Sequence, residues 1–166
     1  PERLLNGDVH SSLVALHVLN NEKVRGNQYD FVFLLLPTSP FRTPHQIRHA
    51  ARLLHDGAVS VVAVSPTGRR LNNARVLDAS GGLQSLGKTE LHAQRQQQSE
   101  LLVVTGSLFA AQTSAFIQEQ TFHIMGAAPL FVTGASALDI DSEDDLNMAQ
   151  SIFAAGEHDF PKSPWG

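Results

Sequence analysis

Two aspartates separated by one residue, Asp139 and Asp141, are the side chains of this chain best suited to chemistry. They follow a short apolar run, Pro129-Leu130-Phe131-Val132-Thr133. If that run leads into an extended segment, the side-chain period of two puts both carboxylates on one face and turns Ile140 the other way, into packing. Two convergent carboxylates can hold a hard divalent cation such as Mg²⁺, which prefers oxygen ligands and usually takes substrate phosphates as well. The same stretch also reads as a helix start. Ser142 is a good N-cap, and Glu143, Asp144 and Asp145 fall in a first turn where negative charge suits the macrodipole. Taken alone, the stretch does not choose between the two readings.

Composition narrows the class. The 166 residues make one domain's worth of chain, long enough to bury a sizeable core. A hydrophobic fraction of 42% with 17% charged residues is globular rather than disordered. The formal net charge of −4 and the lack of a basic stripe give no footprint for nucleic acid. With no cysteine there is no disulfide scaffold or thiolate metal site, which fits a reducing, cytoplasmic compartment. No apolar run approaches the roughly 18 residues that span a bilayer, so no membrane partner is expected. The opening Pro1-Glu2-Arg3 carries neither a signal peptide nor an initiator Met, and further residues are expected upstream.

The elements that must position the aspartates alternate along the chain. Asp8 caps an expected helix from Val9 to Lys23, with Val9, Leu13, Leu16 and Leu19 on one face, closed by Gly26-Asn27. Phe31 to Leu36 is continuously apolar, as a strand buried on both faces should be. Pro37-Thr38-Ser39-Pro40 forces a turn. Thr43-Pro44 then opens a helix to about His55 that Asp56-Gly57 closes. Val59 to Val64 reads as a second buried strand, and Ala74 to Leu86 as a hairpin turning at Gly81-Gly82. Leu101 to Ala110 is a further strand, Thr113 to Gln118 a short helix and Ser142 to Ala155 the last helix.

This alternation predicts a single α/β domain over residues 1–156 with a mainly parallel central sheet flanked by helices, and an irregular tail over 157–166. In such sheets ligands bind beyond the carboxyl ends of the strands. The loop Pro37 to Arg42 and the Asp139/Asp141 pair both follow apolar strand-like runs and are expected there. Other features weigh less. His45 and His49 have the i, i+4 spacing of zinc ligands, but Gln46 stands where a zincin needs its glutamate, so they read as surface histidines. His10 and His17 read as ordinary, partly buried helix residues. Arg69-Arg70 is too short for a nucleic-acid patch, and Ser39 lacks the Gly-x-Ser-x-Gly elbow of a hydrolase. Gln94 to Glu100 reads as a solvated loop.

Four segments, in order, resemble one family. Leu34-Leu35-Leu36-Pro37-Thr38-Ser39-Pro40-Phe41-Arg42-Thr43 is similar to the Leu-Leu-Gln-Pro-Thr-Ser-Pro-Leu-Arg-Thr signature of the acylneuraminate (sialic acid, or nonulosonate) cytidylyltransferases, the CMP-sialic acid synthetases. Asp8-Val9-His10-Ser11-Ser12 resembles their Asp-Thr-Ala-Ser-Ser. Arg95-Gln96 followed by Thr105-Gly106-Ser107-Leu108-Phe109 resembles their Arg-Gln then Asn-Gly-Ala-Ile-Tyr. Asp139 to Leu146 resembles their Asp-Ile-Asp-Thr-Glu-Glu-Asp-Phe. Together the four span nearly the whole chain.

The resemblance implies a Rossmann-like nucleotidyltransferase fold of the nucleotide-diphospho-sugar transferase kind, N-terminally truncated here. It implies transfer of CMP from CTP to the anomeric hydroxyl of a nonulosonic acid, with release of pyrophosphate. Such transfer depends mostly on positioning and charge neutralisation. On this resemblance Asp139 and Asp141 are catalytic and hold Mg²⁺ (or Mn²⁺), one of them also taking the sugar hydroxyl's proton. Ser11 and Ser12 contact nucleotide near a helix N-terminus. Pro37, Thr38 and Ser39 line the sugar pocket, Arg95 pairs with a carboxylate, and Phe122 and His123 lie against the sugar. The family often forms homodimers through an insertion between the middle strands, which corresponds to the segment Leu86 to Glu119.

The chain departs from the pattern in three places. Leu36 replaces a glutamine, Thr105 an asparagine and Phe109 a tyrosine. The family's opening strand with its Arg-x-Gly-Ser-Lys-Gly loop has no counterpart, and Pro66-Thr67-Gly68-Arg69-Arg70 follows the wrong strand, so weak CTP binding is expected of this chain by itself. Two alternatives stay open at this level: a non-catalytic fragment or pseudoenzyme of the same fold, and a cytidylyltransferase for another sugar acid.

Overall fold

A computed structural model of the chain describes residues 11–70, 74–85 and 100–156. Helix α1 covers Ser11–Val24, strand β1 Phe31–Leu34, α2 Pro44–His55 and β2 Ser60–Arg70. A small hairpin follows, β3 Arg75–Leu77 and β4 Leu83–Ser85. Then come the long strand β5 Glu100–Gln112, α3 Thr113–Glu119, β6 Ala128–Phe131, a 3₁₀ turn at Gly134–Ala137, and α4 Glu143–Ala155. Asp8, Val9, His10, Arg95 and the tail 157–166 lie outside the described residues.

The main sheet has the order β1-β5-β2-β6. β5 runs antiparallel to both β1 and β2, while β2 and β6 are parallel. Three of the four strands therefore point the same way, and β5 is the reversed one. The runs at Val61–Val64 and Leu108–Ala111 are apolar at every position because both faces of the sheet are covered. Val61, Ala63, Leu108 and Ala110 pack with Leu54, Leu130 and Val132 on the α2 face. Val62, Val64, Phe109 and Ala111 pack with Phe116 and Phe122 on the face of α1 and α3. Burying each such Leu or Phe contributes roughly 1.5–3 kcal/mol.

Local signals account for the helix ends. Thr43 caps α2 in a capping box, its hydroxyl accepting from the Gln46 N–H while the Gln46 side chain takes the Thr43 N–H. Pro44 sits at the first helical position, and Gly57 leaves the helix at a φ of 105°. In the hairpin, Asp78 Oδ1 accepts from the N–H groups of Ser80 and Gly82, both at 2.8 Å. Those bonds, with the Ser80 hydroxyl's first, hold the Asp78 carboxyl below the usual carboxylate range.

Two details differ from the expectation. The inward face of α1 is Ser12, Ala15, Leu16 and Leu19, while Leu13 is 47% exposed. The 3.6-residue period is kept, but its phase is set by the small Ser12, which lies close to the sheet. β1 is also shorter than the apolar run. Leu35 turns to solvent and Leu36 leaves the ladder, because its carbonyl is taken by the Ser39 N–H and by Arg42.

α4 begins with a second capping box. The Ser142 hydroxyl accepts from the Asp145 N–H, and Asp145 Oδ2 accepts from the N–H groups of Asp141 and Ser142 and from the Ser142 hydroxyl. Chiefly through that hydroxyl, the Asp145 carboxyl is held below its ordinary value. A carboxylate with a lowered folded-state pKa stabilises fully above its unfolded pKa, and loses this as pH falls through the folded one. Ser142→Ala is expected to cost about 0.5–2 kcal/mol in thermal unfolding at neutral pH. The stability gap between wild type and Asp145→Asn should close on acidification through the carboxylate range. A gap that stays constant in acid would count against this account.

Candidate active site

Because β1 and β6 point the same way, the loops that follow them emerge at the same edge of the sheet. Three hydrogen bonds stitch those loops together. The Ser39 hydroxyl donates to Asp139 Oδ1 at 3.1 Å, the Ile140 N–H donates to the Thr38 carbonyl at 2.9 Å, and the Ser136 hydroxyl donates to the Phe41 carbonyl at 3.0 Å. Ser39 is 2% exposed, so its hydroxyl is committed to this contact. Asp139 does not follow β6 directly in one extended run. The 3₁₀ turn at Gly134–Ala137 intervenes, and the chain becomes extended again only at Leu138.

The other anchor of Asp139 comes from the reversed strand. Opposite β2, Val62 faces Phe109 and Val64 faces Val104, so the single residue Ala63 stands against Thr105 to Leu108. This bulge pushes the backbone outward at Gly106, whose N–H donates to Asp139 Oδ2 at 3.1 Å. A methyl group at Gly106 would fall on that oxygen and lie 2.8 Å from the carboxyl carbon. Only glycine lets backbone and carboxylate approach so closely. Each Asp139 oxygen thus accepts one protein hydrogen bond and keeps lone-pair capacity for a further partner.

Arg42 ties the same pieces from beneath. Its Nη2 donates to the Leu36 carbonyl at 2.7 Å, and its Nε donates to the Ser107 carbonyl. Burial lowers the pKa of its guanidinium, and the nearby Asp139 carboxylate works against that shift. A planar fork that bridges two carbonyls of different elements fixes the loop after β1 against β5. Arg42→Ala is expected to destabilise by about 1.5–3 kcal/mol for each charge-assisted bond lost, and Arg42→Lys to recover only part. Thermal unfolding of both variants checks this; an alanine variant as stable as wild type would sink it.

On its α1 and α3 face the sheet carries a cavity of about 180 Å³. Leu34 and Leu36 from the β1 end, Phe109 from β5 and Phe122 supply apolar walls. Ser11 and Ser12 from the start of α1, together with His123, also line it. The rings of Phe109 and His123 meet edge to face with centroids 5.4 Å apart, and Phe122 rests on Phe116 at 4.4 Å. Residues proposed from sequence for the nucleotide, Ser11 and Ser12, and for the sugar, Phe122 and His123, therefore share one cavity.

The remaining candidates are spread around this centre. Pro37 is exposed, and Thr38 is half-buried with its carbonyl used by Ile140. Asp141 is exposed at the start of α4, where its N–H helps hold Asp145. Among the described residues no group of three or more His, Cys, Asp or Glu side chains gathers where a metal could sit. The donor set nevertheless suits Mg²⁺, which needs only one or two carboxylates beside substrate phosphates. His45 and His49 lie exposed on α2, their rings 6.2 Å apart.

Sequence reasoning did not single out Gly106 and Arg42. A glycine inside a strand pattern does signal a bulge or close backbone approach, which was the readable hint for Gly106. Arg42 stands inside the quoted Pro-Thr-Ser-Pro segment, but nothing local reveals that its partners are the carbonyls of Leu36 and Ser107.

No model of a known protein family matches the sequence. Over 128 residues the chain is 31% identical to the CMP-N,N'-diacetyllegionaminic acid synthase of Legionella pneumophila, an alignment covering 75% of this chain and 54% of that protein. The chain thus spans about half the length of this curated relative. Among solved structures, the 4-diphosphocytidyl-2C-methyl-D-erythritol synthase of Anaerococcus prevotii superposes with a TM-score of 0.59 at 11% identity, covering 89% of this chain and 68% of that one. At that identity the likeness shows the fold alone, that of a Rossmann-like nucleotidyltransferase. No helix among the described residues is long and apolar enough to cross a membrane. The anchored aspartate, the stitched loops and these two likenesses are consistent with a CMP-sialic-acid-synthetase-like protein.

Proposed function

We propose that this chain provides the sugar-acid side of an enzyme that transfers CMP from CTP to the anomeric hydroxyl of a nonulosonic acid. The observation that carries this reading is the carboxylate of Asp139, fixed on one oxygen by Ser39 and on the other by Gly106. The sugar oxygen forms a bond to the α-phosphorus of CTP as the bond to pyrophosphate breaks. Asp139, whose orientation is set on both oxygens, takes the hydroxyl proton. Ser11 and Ser12, on α1, contact the nucleotide. Asp139 and Asp141 would hold Mg²⁺ or Mn²⁺, which when bound neutralises charge on the triphosphate.

The active form is a homodimer. Leu102, Val103 and Val104, on the part of β5 that pairs with Val64 to Pro66, are 38–50% exposed, and Val76, Leu77 and Leu83 of the hairpin are exposed too. Apolar surface of this kind suits burial against a second copy.

The test is pyrophosphate release by the intact protein that carries this chain, given CTP, Mg²⁺ and a nonulosonic acid, with CTP binding followed by isothermal titration. Release that requires all three components supports the reading. Absence of both release and CTP binding would favour the non-catalytic alternative.

A further inference from the structure

We infer that α2 carries a two-point chelating site for a divalent transition ion, Cu²⁺, Ni²⁺ or Zn²⁺, built from His45 and His49. It shares no residue with the Asp139 site and does not rest on the transferase reading above. Both imidazoles are exposed, and their ring centroids stand 6.2 Å apart. Side chains four residues apart on a helix have Cβ atoms about 5–6 Å from one another. From that spacing two imidazoles converge on one ion, as on the zinc-binding helix of H-E-x-x-H proteases. Those enzymes also need the glutamate as a base. Here the position is Gln46, whose side chain is turned to the Thr43 N–H. The protease chemistry is gone, but the chelating pair remains.

The helix holds the two rings in place. Ala50 and Leu54 are fully buried beneath α2, and the capping box at Thr43 fixes its first turn. The opposite face is thereby committed to solvent. There His45, His49, Arg52 and Asp56 follow at spacings of four, three and four, and with Leu53 they line an open pocket of about 350 Å³. The guanidinium of Arg52 opposes a cation, and the carboxylate of Asp56, one turn further on, offsets it. Among the described residues no third His, Cys, Asp or Glu joins the pair, so water completes the coordination. Two nitrogen ligands then select the ion: imidazole suits Cu²⁺, Ni²⁺ and Zn²⁺, whereas Mg²⁺ takes oxygen. An ion held here ties the first turn of α2 to the second, directly behind the loop that Arg42 pins. Its effect is on stability, not on the transfer chemistry.

The experiment titrates the intact protein that carries this chain with Ni²⁺ alone, by calorimetry, in mildly alkaline buffer where imidazole is free to ligate. Histidine ring signals are followed by NMR in parallel, because paramagnetic Ni²⁺ broadens the rings that hold it. Ni²⁺ is expected to broaden His45 and His49 first and to raise the melting temperature, as any ligand of the folded state does. Cu²⁺ should bind more tightly than Ni²⁺, and excess Mg²⁺ should displace neither. His45→Ala and His49→Ala each leave a single imidazole and should each weaken Ni²⁺ binding about 10²-fold, the gain that linking two ligands provides. Both positions are exposed, so the two variants should melt like wild type without metal, and either serves if the other fails to fold. His55→Ala, on the same helix, should bind like wild type. No Ni²⁺ binding, broadening confined to other histidines, or a folded His45→Ala or His49→Ala variant within twofold of wild type overturns the inference.

Discussion

Asp139→Asn is expected to lower CMP transfer by about 10²–10⁴-fold, the range for loss of a positioned proton acceptor. The substitution keeps the size of the side chain and one oxygen acceptor, so Ser39 or Gly106 retains a partner and the fold should survive. What disappears is the negative charge and the ability to take a proton. Asp139→Ala goes further, since it leaves the buried Ser39 hydroxyl without its acceptor, and should also cost about 1–3 kcal/mol of stability. Asp141→Asn is expected to act on metal-dependent CTP binding with less effect on kcat, because Asp141 is exposed and not oriented by Ser39 or Gly106. Steady-state kinetics with matched melting curves separate these effects. An Asp139→Asn enzyme within tenfold of wild type would remove this residue from the chemistry.

Gly106→Ala is expected to be nearly as damaging, although the new side chain is a single methyl. The methyl occupies the space of the Asp139 carboxylate, so the carboxylate must swing off both its donors or the bulge must shift. A misplacement of about 1 Å at a reacting group can cost about 10²-fold in rate, and overpacking of this kind typically costs 1–3 kcal/mol. The informative measurement is the double variant. If Gly106 acts through Asp139, adding Gly106→Ala to Asp139→Asn should lower kcat little further, because the two changes damage one unit. Fully multiplicative losses would show that the glycine serves something else.

What could be read beforehand was what is encoded locally. The capping boxes at Thr43 and Ser142, Pro44 at a helix start and the Asp78 to Gly82 turn are each written within a few residues, and each element lies where those signals place it. The continuous apolar runs correctly announced strands covered on both faces. In the acidic stretch Ser142 caps α4 as its residue type signals, while Asp139 reaches across to Ser39. The order of the sheet was not legible. Nothing in Leu101 to Ala110 says that the strand inserts between β1 and β2 and runs against both, because strand direction is settled by long-range pairing. The face of α1 was misread by one position because hydropathy favours Leu13, whereas close approach to the sheet favours the small Ser12. Arg42 was missed because the carbonyls it satisfies come from different elements, one of them Ser107 at a separation of 65 residues.

The insertion of β5 between β1 and β2 also bears on how the chain is made. β1 and β2 are complete by residue 70, yet they share no ladder of their own, and the strand that joins them begins only at Glu100. At a ribosomal pace of about 5–20 residues per second, several seconds pass in which two apolar strands have emerged and their common partner has not. β5 is therefore the piece that joins them, its bulge forms with it, and β6, from Ala128, then adds to the free edge of β2. The Phe109 wall of the cavity, the amide that holds Asp139 and the carbonyl that Arg42 grips all arrive with this one strand, and Asp139 itself follows only after β6.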